Sequence, residues 1–66
     1  MNKLLMIYER DFNDDIVIVA NNHKDLEDYI LSLGFNCITM YSDYCTIQEK
    51  QGEHSHEAEL KWIKHI

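Results

Sequence analysis

The chain has 66 residues, of which 45% are hydrophobic, and it carries a formal net charge of −6 with an isoelectric point near 4.9. This length allows a single domain over residues 1–66, and the hydrophobic content argues against intrinsic disorder. The acidic charge disfavours direct binding to nucleic acid or to an anionic membrane. Domains this small commonly need a disulfide, a metal or a partner subunit for stability.

The first part of the chain is predicted to form a β-hairpin. Residues 3–10 have apolar side chains on both faces of a strand, which is expected of a strand in the centre of a sheet. Residues 11–14 have turn chemistry around Phe12, and residues 15–20 are rich in β-branched residues that favour a second strand. Two such strands joined by about four turn residues predict a hairpin.

A helix is predicted over about residues 23–33, with Asn21 or Asn22 as its N-cap. From Leu26 onward, apolar residues recur at i, i+4 and i+7, which is the spacing of an amphipathic helix that packs on one face of a sheet. Gly34 is expected to end the helix, because glycine adopts the left-handed conformation of a helix stop without steric cost.

The second half of the chain is predicted to be mainly β-structure. Residues 36–49 are rich in β-formers, with a bend at 42–43 and the firm strand at 44–49. Residues 51–57 form a polar loop by composition. In the tail, residues 58–66, apolar and polar residues alternate well enough to favour a strand, although a helix stays open as the alternative.

These elements predict an α+β fold in the order β-β-α-β-β, with a mainly antiparallel sheet and the helix packed on one of its faces. One helix cannot cover both faces of a sheet whose strands are apolar on both sides. Either long aromatic side chains cover the second face, or another chain does. The candidates for the first alternative are Tyr41, Tyr44 and Trp62.

The second alternative predicts association. If nothing in the chain covers the second sheet face, a monomer leaves either Leu5 and Ile7 or Val17 and Val19 partly open to water. Apolar patches of that kind commonly mark interfaces. The sequence therefore predicts a homodimer, or a complex with another protein.

The cysteines and histidines give no recognisable metal site. Cys37 and Cys45 are eight residues apart, and His54 and His56 are separated by one residue, whereas structural zinc sites use paired ligands two to four residues apart. The acidic surroundings also disfavour a thiolate nucleophile. No glycine-rich phosphate loop or serine-centred motif occurs. We therefore expect no cofactor, no metal and no enzymatic activity.

The carboxylates are the candidate functional groups, because rows of them can imitate a nucleic-acid backbone and occupy a basic groove on a protein partner. The alternative is a solubilising surface. Phe12 is either an exposed anchor or folds back onto the sheet. The predicted partner-binding residues are Glu9, Asp11, Phe12, Asp14, Asp15, Asp25, Glu27 and Asp28.

The leading hypothesis from sequence is thus a protein-binding module, such as an acidic inhibitor or adaptor of the kind common in phages and mobile elements. The alternatives are a self-assembling homodimer and, more remotely, a metal-dependent regulator. The first ten residues lack a secretory pattern, and the apolar runs are too short to span a bilayer. Together with only two cysteines, these features predict a cytoplasmic protein.

The absence of a zinc-like spacing generates a test of metal dependence. Adding EDTA is expected to leave the melting temperature unchanged, because no metal contributes to the folding free energy. Thermal denaturation followed by circular dichroism, with and without the chelator, checks this. A large drop that zinc restores would contradict the ligand analysis.

Overall fold

The computed structural model describes residues 2–10 and 14–64, apart from the side chain of Ile38. Within these ranges the chain forms one helix and five strands: β1 (Asn2–Tyr8), β2 (Ile16–Ala20), α1 (His23–Ser32), β3 (Asn36–Met40), β4 (Tyr44–Gln48) and β5 (His56–Lys64). The strands form one sheet in the order β2-β1-β5-β4-β3, and every neighbouring pair is antiparallel. The α+β class is confirmed, as a mainly β fold with one helix.

The predicted order β-β-α-β-β needs a correction, because the described residues contain a further strand. The region 36–49 forms the hairpin β3–β4 rather than a bend followed by one strand. The Tyr41 N–H donates a hydrogen bond to the Tyr44 carbonyl at 2.9 Å, which closes the turn. The hydroxyls of Thr39 and Thr46 lie 2.9 Å apart across the two strands.

The tail is a strand, as preferred from sequence, and it begins at His56, inside the region predicted as loop. β5 lies between β1 and β4, so its backbone groups are hydrogen-bonded on both sides. Ala58 and Leu60 are buried, whereas the alternate residues Glu59 and Lys61 are exposed. Residues 65 and 66 of the predicted tail lie outside the described residues.

The first hairpin agrees with the prediction. β1 lies between β2 and β5 and is therefore an interior strand, as its two apolar faces indicate. Leu4, Met6 and Tyr8 are buried on one face, and Leu5 and Ile7 are half-buried on the other. Residues 11–13 of the predicted turn lie outside the described residues.

The helix begins after Asn22, whose side-chain oxygen accepts a hydrogen bond from the Asp25 N–H at 2.9 Å. The Asp25 carboxylate in turn accepts from the side-chain amide of Asn21 at 3.3 Å, so both asparagines take part in the cap. Such a cap stabilises a helix by about 1 kcal/mol. The helix ends at Ser32, one residue before the predicted end, and Gly34 follows with φ +87°.

The core lies between α1 and one face of the sheet. Leu26 and Ile30 are the fully buried residues of the helix. The core side chains that the strands contribute are Leu4, Met6, Tyr8, Ile18, Cys45, Ile47, Ala58 and Leu60. Phe35, just after the helix, packs against this core and meets the Tyr8 ring edge-on at 6.5 Å between centroids.

The helix–sheet contact generates a stability prediction with a matched control. Ile30→Ala is expected to lower the free energy of unfolding by about 2–5 kcal/mol, because it leaves a cavity between helix and sheet. Leu31→Ala, at a neighbouring position that is 48% exposed, is expected to change it by less than about 0.5 kcal/mol. Urea denaturation of both variants checks this. Equal losses would contradict the assigned orientation of the helix.

Candidate protein-binding face

The face of the sheet opposite α1 has no element of the described chain packed on it, and we call it the open face. Side chains alternate between the two faces along each strand, so its members are the residues that alternate with the core positions. In the part of this face used below, they are Lys3, Leu5, Ile7, Val17, Val19, Tyr44, Thr46, Glu57, Glu59, Lys61 and Ile63, together with Glu9 directly after β1.

The β2–β1 side of the open face is apolar. Val17 and Val19 are 59% and 48% exposed, although both are β-branched side chains suited to burial. Val17 pairs with Ile7 and Val19 pairs with Leu5, so two apolar rows run side by side across these strands. The sequence predicted that one of the two pairs would be left partly open to water, whereas both pairs lie on this face and are partly open.

The aromatic residues considered as a cover do not reach Val17 and Val19. Trp62 is 49% exposed and lies on the helix side, where its ring meets His23 edge-on at 5.7 Å between centroids. Tyr41 and Tyr44 stack on each other, with ring centroids 4.5 Å apart, at the β3–β4 turn. Since β3 and β4 lie at the other side of the sheet from β2, these tyrosines leave Val17 and Val19 open.

The charges of the open face are segregated along the strand direction. At one end Glu9, Glu57 and Glu59, with Asp43 beside them, line a cavity of about 350 Å³ whose wall also includes Ile7 and Tyr44. Toward the other end, Lys61 pairs with Leu5, and Lys3 pairs with Ile63. We call these the acidic end and the basic end of the open face.

Next to the acidic end, a buried tyrosine and an arginine form hydrogen bonds and ion pairs with carboxylates of neighbouring segments. The Tyr8 hydroxyl donates to Glu49 at 2.7 Å, and Arg10 forms an ion pair with the same carboxylate at 3.1 Å. The Arg10 guanidinium also lies 3.5 Å from Asp14, and the backbone N–H of Arg10 donates to the Asp15 carboxylate at 3.2 Å. Burial, with the hydrogen bond and charge of Glu49, raises the pKa of Tyr8 to about 12.

The predicted partner-binding residues fall into separate places. Glu9 lies at the acidic end of the open face, and Asp14 and Asp15 surround Arg10. Asp25 caps α1 and Asp28 pairs with Lys24 at 2.9 Å, so both lie on the helix side of the sheet.

Glu27, also on the helix, is half-buried near Cys37. Asp11 and Phe12 lie outside the described residues. The sequence interpretation did not bring together Glu57, Glu59 and Glu9, because residues 51–57 were assigned to a loop. The alternation of Glu57, Glu59 and Lys61 with Ala58 and Leu60 was the signal that could have found them.

The two cysteines are free thiols, with Cys45 buried and Cys37 half-buried. Burial raises the pKa of both, that of Cys45 to about 12, so both are protonated at neutral pH. His54 is exposed in the β4–β5 loop, and the ring of His56 lies 6.5 Å from that of Tyr8. In residues 2–10 and 14–64, no cluster of three or more His, Cys, Asp or Glu side chains has a metal-binding arrangement.

Comparisons of the chain with protein-family models, curated proteins and solved structures gave no match. The ten-residue α1, the one helix of the described ranges, lacks the length and apolar character needed to cross a membrane.

Burial of the Tyr8 hydroxyl and the Cys45 thiol predicts how stability depends on pH. Stability is expected to be full below pH 9 and to fall as the pH rises to about 12. Over this range the unfolded chain loses protons, from Cys45 near pH 9 and from Tyr8 near pH 10, that the folded chain retains. A shift of two pKa units corresponds to about 3 kcal/mol.

Melting temperatures between pH 7 and pH 11 check this. Tyr8→Phe is expected to flatten the loss above pH 10, and Cys45→Ala the loss that begins at pH 9. A wild-type melting temperature that stays constant to pH 11, or variants with the same alkaline slope as wild type, would contradict the prediction.

Proposed function

We propose that this protein is a non-enzymatic protein-binding module that contacts its partner through the open face. The observation that carries the proposal is the exposure of Val17 and Val19 beside Leu5 and Ile7, on a sheet face without a cover in the described chain. Water-exposed apolar rows on a sheet are unfavourable for an isolated monomer. A partner that covers them removes this cost.

The apolar contact supplies part of the free energy that specific binding needs. Covering an apolar patch of about 200 Å² contributes ~5 kcal/mol at about 25 cal/mol per Å². Part of this contribution offsets the loss of translational and rotational freedom on association. Polar contacts at the two charged ends can supply the remainder and the orientation.

The charge distribution indicates the chemistry of the partner. The acidic end presents Glu9, Glu57 and Glu59 around a cavity, and a lysine or arginine side chain on a partner matches it. With a net charge of −6, the protein repels nucleic acid and anionic lipid, so a protein with basic groups is the partner that we propose.

Imitation of nucleic acid is less well supported by the same geometry. A mimic presents its carboxylates on one continuous face, whereas Glu9 lies on the open face and Asp25 and Asp28 lie on the helix side. An inhibitor or adaptor that uses the acidic end of the open face agrees better with these positions.

The state of the thiols supports a binding role over thiol catalysis. A cysteine nucleophile needs a lowered pKa, and burial raises the pKa of Cys45 and of Cys37 instead. Free thiols are also compatible with the reducing cytosol, which we propose as the location of the protein.

A comparison of two lysine substitutions tests the proposed surface. Val19→Lys places a charge in the apolar rows, and Leu31→Lys makes the same change of net charge at an equally exposed position on the helix. Immobilised wild type and both variants are incubated with total protein from cells that make the chain, and retained proteins are quantified by mass spectrometry.

Proteins retained by wild type and by Leu31→Lys, including further copies of the chain itself, are expected to be lost with Val19→Lys. The reverse pattern would show that the helix side is the contact surface and would contradict the proposal. Circular dichroism of each variant controls for folding.

A further inference from the structure

We infer that the partner that fits the open face is a second copy of this chain, in a face-to-face dimer with two-fold symmetry. The inference rests on the proposed function, because it takes the open face as the contact surface. It adds the identity of the partner and the register of the contact. Both follow from the order of residues in two neighbouring rows of the sheet.

The strand register defines these rows. One row runs Val19–Leu5–Lys61 across β2, β1 and β5. The next row, two residues along the strands, runs Val17–Ile7–Glu59 across the same strands. Each row is therefore apolar at two positions and charged at the third, and the two charges are opposite.

A two-fold axis that lies in the interface, parallel to the rows and midway between them, places each row over the other row of the second copy. Val19 of one copy then faces Val17 of the other, and Leu5 faces Ile7. Lys61 of one copy faces Glu59 of the other, and symmetry makes this pair twice. Every position in the two rows meets a complementary position.

The flanking residues agree with the same axis. Lys3 of β1 lies beyond the first row, where its ammonium also donates to the Asn21 side chain, and Glu9, directly after β1, lies beyond the second row. The axis that superposes the two rows also brings Lys3 of one copy over Glu9 of the other. The basic end of each copy thus covers the acidic end of its neighbour.

Other arrangements are electrostatically worse or leave the apolar rows open. An axis parallel to the strands places acidic end over acidic end, and like charges in contact oppose association. Edge-to-edge pairing of β2 with a second β2 leaves the exposed faces of Val17 and Val19 in water. Face-to-face sheets keep their strands within about 30° of one another, which long lysine side chains accommodate.

The size of the face predicts a weak dimer. Five strands about 4.8 Å apart and about five residues long at about 3.3 Å each give a surface of roughly 20 Å by 17 Å. Two such faces bury roughly 700 Å² together, which is below the roughly 1,200 Å² of standard specific complexes, so association only at high protein concentration is expected. The net charge of −6 on each copy opposes association at low salt and is screened near physiological salt.

Sedimentation equilibrium at about 0.15 M salt measures the dimer directly. Wild type and Leu31→Lys are expected to dimerise equally, and Val19→Lys is expected to weaken the dimer at least tenfold. A chain that stays monomeric at millimolar concentration would overturn the inference. It would leave the proposed function intact if Val19→Lys still abolished binding to other proteins in the retention experiment. A dimer that survives Val19→Lys and is lost with Leu31→Lys would overturn both.

Charge reversal tests the register. Lys61→Glu makes the net charge more negative by two, and Glu59→Lys makes it less negative by two, and both side chains are exposed. If Lys61 faces Glu59 across the axis, both single variants weaken the dimer, and the double variant Lys61→Glu/Glu59→Lys restores it.

If general repulsion controlled association instead, Glu59→Lys would strengthen the dimer and the register would be wrong. Failure of the double variant to recover the wild-type constant would also overturn the inference. If a different protein binds this face, the double variant is not expected to regain that binding, because the charges of the other protein are unchanged. Rescue is therefore specific to a second copy in this register.

Discussion

A single ten-residue helix can cover only one face of a five-stranded sheet, and the described structure depends on this constraint. Leu26 and Ile30 project from the helix into the core, and the strands direct every second side chain toward them. The remaining side chains must therefore lie on a surface that has no partner in the described chain. On its β2–β1 side, that surface carries valine, leucine and isoleucine rather than the polar residues typical of a solvated sheet face.

The position of β5 connects the core to this surface. It lies between the hairpins β1–β2 and β3–β4, so the sheet is continuous only when the last strand is in place. The Leu60 N–H, which donates to the Asp43 carbonyl at 2.9 Å, adds a link to the β3–β4 turn. β5 contributes Ala58 and Leu60 to the core and Glu59 and Lys61 to the open face. Folding of one strand thus completes the core and places opposite charges on the contact surface.

Local sequence signals predicted the first half of the fold closely and the second half less well. The β-branched run of β2 and the asparagine cap of α1 act over a few residues, so their positions could be predicted within about two residues. The Ser42-Asp43 turn lacks the glycine that commonly marks a hairpin, so the sequence predicts a bend there and one firm strand after it rather than a hairpin. For β5, Ile63 and Lys64 reverse the apolar–polar alternation that Ala58, Leu60 and Trp62 begin. The apolar rows could be predicted, because the sequence of the strands is apolar on both faces. The acidic end could not, because it joins Glu9 to residues about fifty positions later, and only the pairing of β1 with β5 brings them together.

The partners of the cations support a specific role for Lys61 of the open face, whereas the ammonium of Lys3 donates to Asn21. The chain has six lysines and arginines against twelve acidic residues, so each cation has several carboxylates available as partners. In the described residues Arg10 pairs with Glu49 and Lys24 pairs with Asp28, both away from the open face. Lys61 is instead exposed one row from Glu59, beside apolar side chains. The net charge of −6 opposes association in most orientations, whereas the orientation that places Lys61 over Glu59 pairs opposite charges. The apolar rows favour burial, and the charged residues at their ends restrict that burial to a partner with complementary charges.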